Sequence, residues 1–154
     1  MRTIRCNADE FQKVAQPLVD QGTSFLLCVY GSSMYPTIRD GDVVQVRPVQ
    51  PGEIGTGDIF LFQNSGRLFV HRLVAKARQG DRLLLVAKGD ANPRPDKQVE
   101  PSDVLGKIVE VRRRRHRRSL ESGSRHRIES FLFVRFPQLG SRLASFSRTV
   151  YRRK

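Results

Sequence analysis

Short apolar runs of strand length, each bounded by turn residues, fill residues 24–111 and leave few folds open. They fall at residues 24–30 (SFLLCVY), 42–48, 58–63, 67–77, 83–88 and 104–111 (VLGKIVEV). Gly31, Asp40-Gly41, the Pro/Gly-rich stretch 49–57, Asn64-Ser65-Gly66 and the two-proline loop 90–97 separate them. Asn64-Ser65-Gly66 between two such runs is a hairpin signal. No internal repeat and no alternating strand–helix–strand pattern is present. The expected fold is therefore mainly β, with coiled, partly closed sheets. A chain of 154 residues with 38% apolar content has enough material for one small core.

Two flanking segments differ from this pattern. Residues 7–22 read as one amphipathic helix, capped by Asn7 or Asp9, with Phe11, Val14, Ala15 and Leu18 on one face. Gly22 ends it, and Pro17 is its weak point. Residues 112–154 hold 14 of the 28 basic residues and only two of the 15 acidic ones, so they carry all but one unit of the net charge of +13. RRRRHRR and SLESGSRHR within them read as solvated, and residues beyond 128 place apolar side chains at near-helical spacing between arginines. The expected organisation is an N-terminal helix over 1–23, a β domain over 24–111 and an Arg-rich amphipathic, helical tail over 112–154.

One loop invites a chemical interpretation. Residues 31–46, GSSMYPTIRDGDVVQV, place two serines in a glycine-led turn that feeds a strand. Glycine permits positive φ or close approach, and Pro36 fixes φ just beyond. A serine held this way is presented in a fixed geometry, as a weak nucleophile requires. Taken alone, the same residues also describe an ordinary polar loop between strands.

Three blocks in order carry a resemblance. GSSMYPTIRDGDVVQV resembles the Ser-Met-x-Pro-Thr box of type I signal peptidases and the related self-cleaving repressors. GTGDIFLFQNSGRLFVHRLV resembles the next two strands of that family. KGDANPRPD resembles the third box of its endoplasmic-reticulum and archaeal branch. Together they span about residues 31–111. The resemblance implies a signal-peptidase-like coiled β-sheet fold and a serine endopeptidase acting on a peptide or precursor protein. It implies Ser33, directly before Met34, as nucleophile. The bacterial branch has its lysine base where this chain has His71, followed by Arg72, which places the chain in the histidine branch. A histidine base starts near pH 6.5 and needs no desolvation to lose its proton, but it gains from a carboxylate that fixes its tautomer. Asp96 matches the triad acid, and Asp90 is expected to support the site or hold the loop. Either acid also fits a plain turn residue. Gly31 stands where many relatives place a serine that helps bind the oxyanion, which leaves the Ser33 backbone N–H as the main donor.

No metal-ligand spacing and no phosphate-binding glycine loop appears, so no cofactor is expected. His116 and His126 read as solvated members of the basic tail. Cys6 and Cys28 read as reduced thiols. The opening residues lack the apolar core of a secretory signal, and no run approaches bilayer length, which departs from membrane-anchored signal peptidases. A cytoplasmic or peripherally membrane-associated protein is expected, with an anionic membrane surface as partner of residues 112–154. Two other classes fit parts of the sequence: a peptide-binding module of the same fold without turnover, and a basic nucleic-acid-associated protein. Only the charge speaks for the last, because no helix-turn-helix or aromatic stacking surface is visible.

Overall fold

Residues 59–62 (IFLF) are apolar at every position, and a strand with that composition must bury both faces. The computed structural model, which describes residues 3–4, 11, 13–96, 98–114, 116–121, 132 and 134, places them in such a strand. Nine strands occur among the described residues: β1 (Thr3–Ile4), β2 (Phe25–Cys28), β3 (Val43–Arg47), β4 (Ile59–Asn64), β5 (Arg67–Gln79), β6 (Arg82–Lys88), β7 (Gln98–Val99), β8 (Val104–Arg113) and β9 (His116–Ser119). They form one sheet in the order β1-β2-β3-β8-β4-β5-β6-β7, with β9 paired on β8. Every pairing is antiparallel except β1 with β2.

The period of two along β4 divides the interior into two cores. Ile59 and Leu61 enter a larger one with Phe25, Val44, Val46, Ile108 and Val111. Phe60 and Phe62 enter a smaller one with Ile54, Leu73, Leu85 and Val99. Register shifts at Gln45/Val46, Leu61/Phe62 and Leu73/Ala75 bend the ladder, because an unpaired residue adds local twist. The mainly β, coiled architecture agrees with the expectation from sequence.

The N-terminal helix differs in detail. Phe11, Lys13 and Val14 are helical, Ala15 is a turn, and a short helix Gln16–Asp20 begins after it with Pro17 in its first turn. A proline in the first turn gives up an N–H that has no intrahelical acceptor anyway, so the break falls just before it. Phe11 and Ala15 are buried as the spacing predicts, but Val14 is 55% exposed. The expected caps, Asn7 and Asp9, lie outside the described residues.

The sheet does not stop at residue 111. β8 continues to Arg113, and β9 returns along it, pairing Arg113 with His116 and Glu110 with Ser119. Leu120 then drops into the larger core at 2% exposure, its N–H bonded to Val109 O at 2.8 Å. The first arginines of the charge run are neutralised locally: Arg113 grips Asp42 with Nε and a terminal nitrogen, and Arg112 pairs with Glu110. Residues 116–119 are thus part of the sheet, paired through the backbone, while Arg114, His116, Arg117, Ser119 and Glu121 keep their side chains exposed. His116 is exposed, as expected, while His126 lies outside the described residues. Of the expected helical tail, the described Leu132 and Val134 are helical; the rest lies outside the described residues.

Truncating a fully buried leucine costs about 2–5 kcal/mol. Leu120→Ala should lower the unfolding free energy by that amount in urea titrations. A loss below about 0.5 kcal/mol, the usual surface value, would show that β9 and its neighbour are not part of the folding unit.

Candidate active site

The loop after β2 presents Ser33. Gly31 takes φ +99°, a conformation that a side chain would strain, and its N–H donates to Asp40 Oδ1 at 2.7 Å. Beyond Ser33, a turn that contains the cis Tyr35–Pro36 bond is closed by Ile38 N–H to Met34 O at 2.9 Å, and the Met34 and Ile38 side chains are buried in the larger core. Met34 is therefore an anchor. Asp42 and Asp58 pair with Arg113 and Lys107.

Ser33 Oγ lies 3.0 Å from His71 Nε2. His71 comes from β5 opposite Phe60, and its ring is enclosed by Phe62 and Phe69, with centroids at 6.0 and 5.9 Å. On the other side of the ring, Nδ1 is in contact with Asp96 Oδ2, and neither atom has another partner among the described residues. Asp96 is fixed through its backbone, N–H to Ala87 O at 2.8 Å, and the Asn92 amide lies 3.5 Å from its other oxygen. Ser32 is exposed and makes no such contact. The three residues Ser33, His71 and Asp96, spread over 63 positions of sequence, thus stand in line.

Asp90 stands apart from that line. It is 1% exposed and clasped by the buried Arg72, Nε to Oδ1 and a second nitrogen to Oδ2, both at 2.8 Å. Thr37 Oγ donates to Oδ2 at 2.5 Å, and another Arg72 nitrogen donates to Gly57 O at 2.7 Å. Asp90 therefore holds the loops together and does not face the imidazole.

The turn between the two acids packs directly on the serine. Ala91 N–H donates to Ser33 O at 2.8 Å, and a Cβ on Gly89 would lie 2.7 Å from that same oxygen, so only glycine fits. Lys88 precedes it, buried, with Nζ donating to Gly89 O at 3.3 Å. Burial pushes its pKa below the ordinary lysine value, against the pull of Asp90 and then Asp96, and Arg72 adds to the lowering. Sequence reading passed over Lys88 and Thr37. Lys88 sits in the third box and Thr37 in the first, but nothing in either box marks a buried charge or its hydroxyl partner.

A cleft of about 780 Å³ opens beside Ser33 and His71, between residues 27–30 on one side and 66–71 on the other. β5 pairs with β6 only from Arg72 onward, so one backbone edge of residues 67–71 has no strand partner among the described residues. Along this cleft the arrangement can support proton transfer from a serine hydroxyl to an imidazole that a carboxylate orients. Among the described residues no group of three or more His, Cys, Asp or Glu side chains is placed to hold a metal, and no helix is long and apolar enough to cross a membrane.

Residues 3–109 match the family model described as Peptidase S24-like. Signal peptidase I W of Bacillus subtilis (strain 168) is 34% identical over 73 residues, which are 46% of this chain and 38% of that protein. The chain thus spans less than half the length of this relative.

Removing one partner from a buried ion pair strands the other charge, at about 3–5 kcal/mol. Asp90→Asn should therefore lower stability far more than Asp96→Asn, whose carboxylate is 28% exposed. Equal urea midpoints for the two variants would show that Asp90 does not hold the fold.

Proposed function

The chain belongs to the peptidase S24-like family, and we propose that within it this protein is a serine endopeptidase of signal-peptidase type, cutting an extended peptide or precursor protein by a Ser-His-Asp mechanism. The observation that carries the proposal is the alignment of Ser33 Oγ, His71 and Asp96 beside an open cleft.

In this mechanism Ser33 Oγ attacks the scissile carbonyl while His71 Nε2 takes its proton. Asp96 keeps the Nδ1–H tautomer and stabilises the imidazolium. The oxyanion rests on the Ser33 backbone N–H, which makes no hydrogen bond to another described residue. His71 returns the proton to the leaving amine. A water, deprotonated in turn by His71, hydrolyses the acyl-serine and restores the hydroxyl. The substrate adds as a strand along the free edge of residues 67–71, where backbone hydrogen bonds provide register. Its side chains near the cut are small, as the resemblance to signal peptidases implies.

The basic chain beyond the sheet is proposed to hold the enzyme at an anionic membrane surface, each basic residue contributing about 1 kcal/mol near the headgroups. Because Leu120 belongs to the core, the informative truncation removes residues 122–154. Sedimentation with phosphatidylglycerol vesicles should be lost in the shortened chain, and failure of the full chain to sediment at low salt rejects the attachment.

A serine-directed phosphonate should label Ser33, and Ser33→Ala should abolish both labelling and turnover with the fold intact, whereas Ser32→Ala stays active. Loss of activity in Ser32→Ala instead would move the nucleophile by one residue. With chemistry rate-limiting, a histidine base should make activity fall toward low pH, where the imidazole is protonated. Asp96→Asn should cost on the order of the 10⁴-fold known for the reference serine protease; a rate independent of pH between 5 and 9 rules out the histidine base.

A further inference from the structure

Behind the Ser33–His71 pair lie three buried charged groups, Arg72, Asp90 and Lys88. Arg72 and Asp90 satisfy one another. Lys88 is the group that this pairing leaves unexplained. The register of β5 and β6 puts it directly across from Arg72, so two cations face each other in the interior. Its Nζ reaches Gly89 O at 3.3 Å and forms no ion pair at contact distance with a described carboxylate. A methionine of similar length would fill the space without the desolvation cost of an ammonium.

The groups around it indicate a use. Gly89 opens the turn that Lys88 tethers, Asn92 N–H returns to Gly89 O at 2.9 Å, and Ala91 N–H holds Ser33 O. The same segment ends on Asp96 at the imidazole. Arg72 lies across the ladder from Lys88 with Asp90 on its guanidinium, and the Asp96 N–H is bonded to Ala87 O, the residue before Lys88; burial lowers the lysine pKa, while Asp90 and then Asp96 raise it. With Lys88 charged, the two cations balance the two carboxylates around the His71 ring, which lies between Ser33, Asp96 and two phenylalanines. Without the ammonium, the cluster carries an uncompensated negative charge that would draw a proton onto the imidazole and block it as a base.

We propose that Lys88 is a positioning residue of this hydrolase: its ammonium tethers the 89–92 turn against Ser33 and balances the Asp96 carboxylate, so that His71 stays unprotonated until Ser33 gives up its proton. The role rests on Ser33, His71 and Asp96 acting as proposed above.

NMR titration of the His71 ring in the full-length chain tests this without turnover. In Lys88→Met the His71 titration midpoint should move to higher pH, and in Lys88→Arg it should stay at the wild-type position. An unmoved midpoint in Lys88→Met, with only the melting temperature changed, makes Lys88 a packing residue and overturns the proposal; so does an equal shift in both variants. If Lys88→Met does not fold, the Cε signal of Lys88 in the wild-type protein decides: an ammonium at pH 7 supports the role, and a neutral amine at pH 7 overturns it. A shifted midpoint in a protein whose Ser33 takes no phosphonate would sink the endopeptidase proposal and keep the charge coupling, whereas labelling with an unmoved midpoint would sink only the role of Lys88.

Discussion

Arg72 is fully buried, and a guanidinium can occupy such a place only when its donors and its charge are met. Asp90 meets the charge in a two-pronged pair, Gly57 O takes another N–H, and the Thr37 hydroxyl closes the ring by donating to the carboxylate. These partners come from the loop after Ser33, the turn before β4 and the turn after β6. A planar fork matched to a carboxylate tolerates little displacement, which lysine could not reproduce. The position of Ser33 relative to His71 is therefore inherited from the Arg72–Asp90 pair, and so is the position of the segment that ends in Asp96. Loosening that pair would loosen Ser33, His71 and Asp96 at once.

The pleat of β5 makes this economical. Successive side chains of a strand point to opposite faces, so His71 turns toward Phe62 and Phe69 while Arg72 turns the other way, toward Asp90. One dipeptide supplies both the imidazole beside Ser33 and the guanidinium that ties the surrounding loops together. A register slip of one residue would put the guanidinium among the phenylalanines and the imidazole on Asp90. The same strand lines the cleft: it pairs with β4 through Arg72 and with β6 only from Arg72, so among the described residues its first five residues are paired on one side alone.

The two ends of the charge run behave differently from a uniform basic tail. Arg112 and Arg113 are drawn into the sheet by backbone pairing and find Glu110 and Asp42. Asp42 also accepts the Arg39 N–H at 2.8 Å, so Arg113 braces the far end of the serine loop. The Asp42 carboxylate raises the pKa of Arg113, chiefly through their hydrogen bond, and keeps that guanidinium charged.

The sequence by itself determined the β character, most strand positions and the order of the three boxes. These are local properties: alternation, turn residues and glycines where φ must be positive. It also singled out Ser33, His71, Asp96 and Asp90, because a serine before Met34 and a histidine before Arg72 stand at recognisable places. It did not show the short strands β1 and β7, which have too few residues for a pattern, nor β9, whose basic residues resemble a solvated run until β8 offers its edge. The division of labour between the two acids was legible only through the family resemblance, and the residues themselves did not carry it. Asp90 and Asp96 read alike in a polar loop; one faces a buried guanidinium and the other an imidazole only once β5 lies against β6. Lys88 was hidden for the same reason. Whether a lysine is solvated or buried beside two carboxylates depends on which strands cover it, and that is settled by long-range pairing and not by its neighbours in the chain.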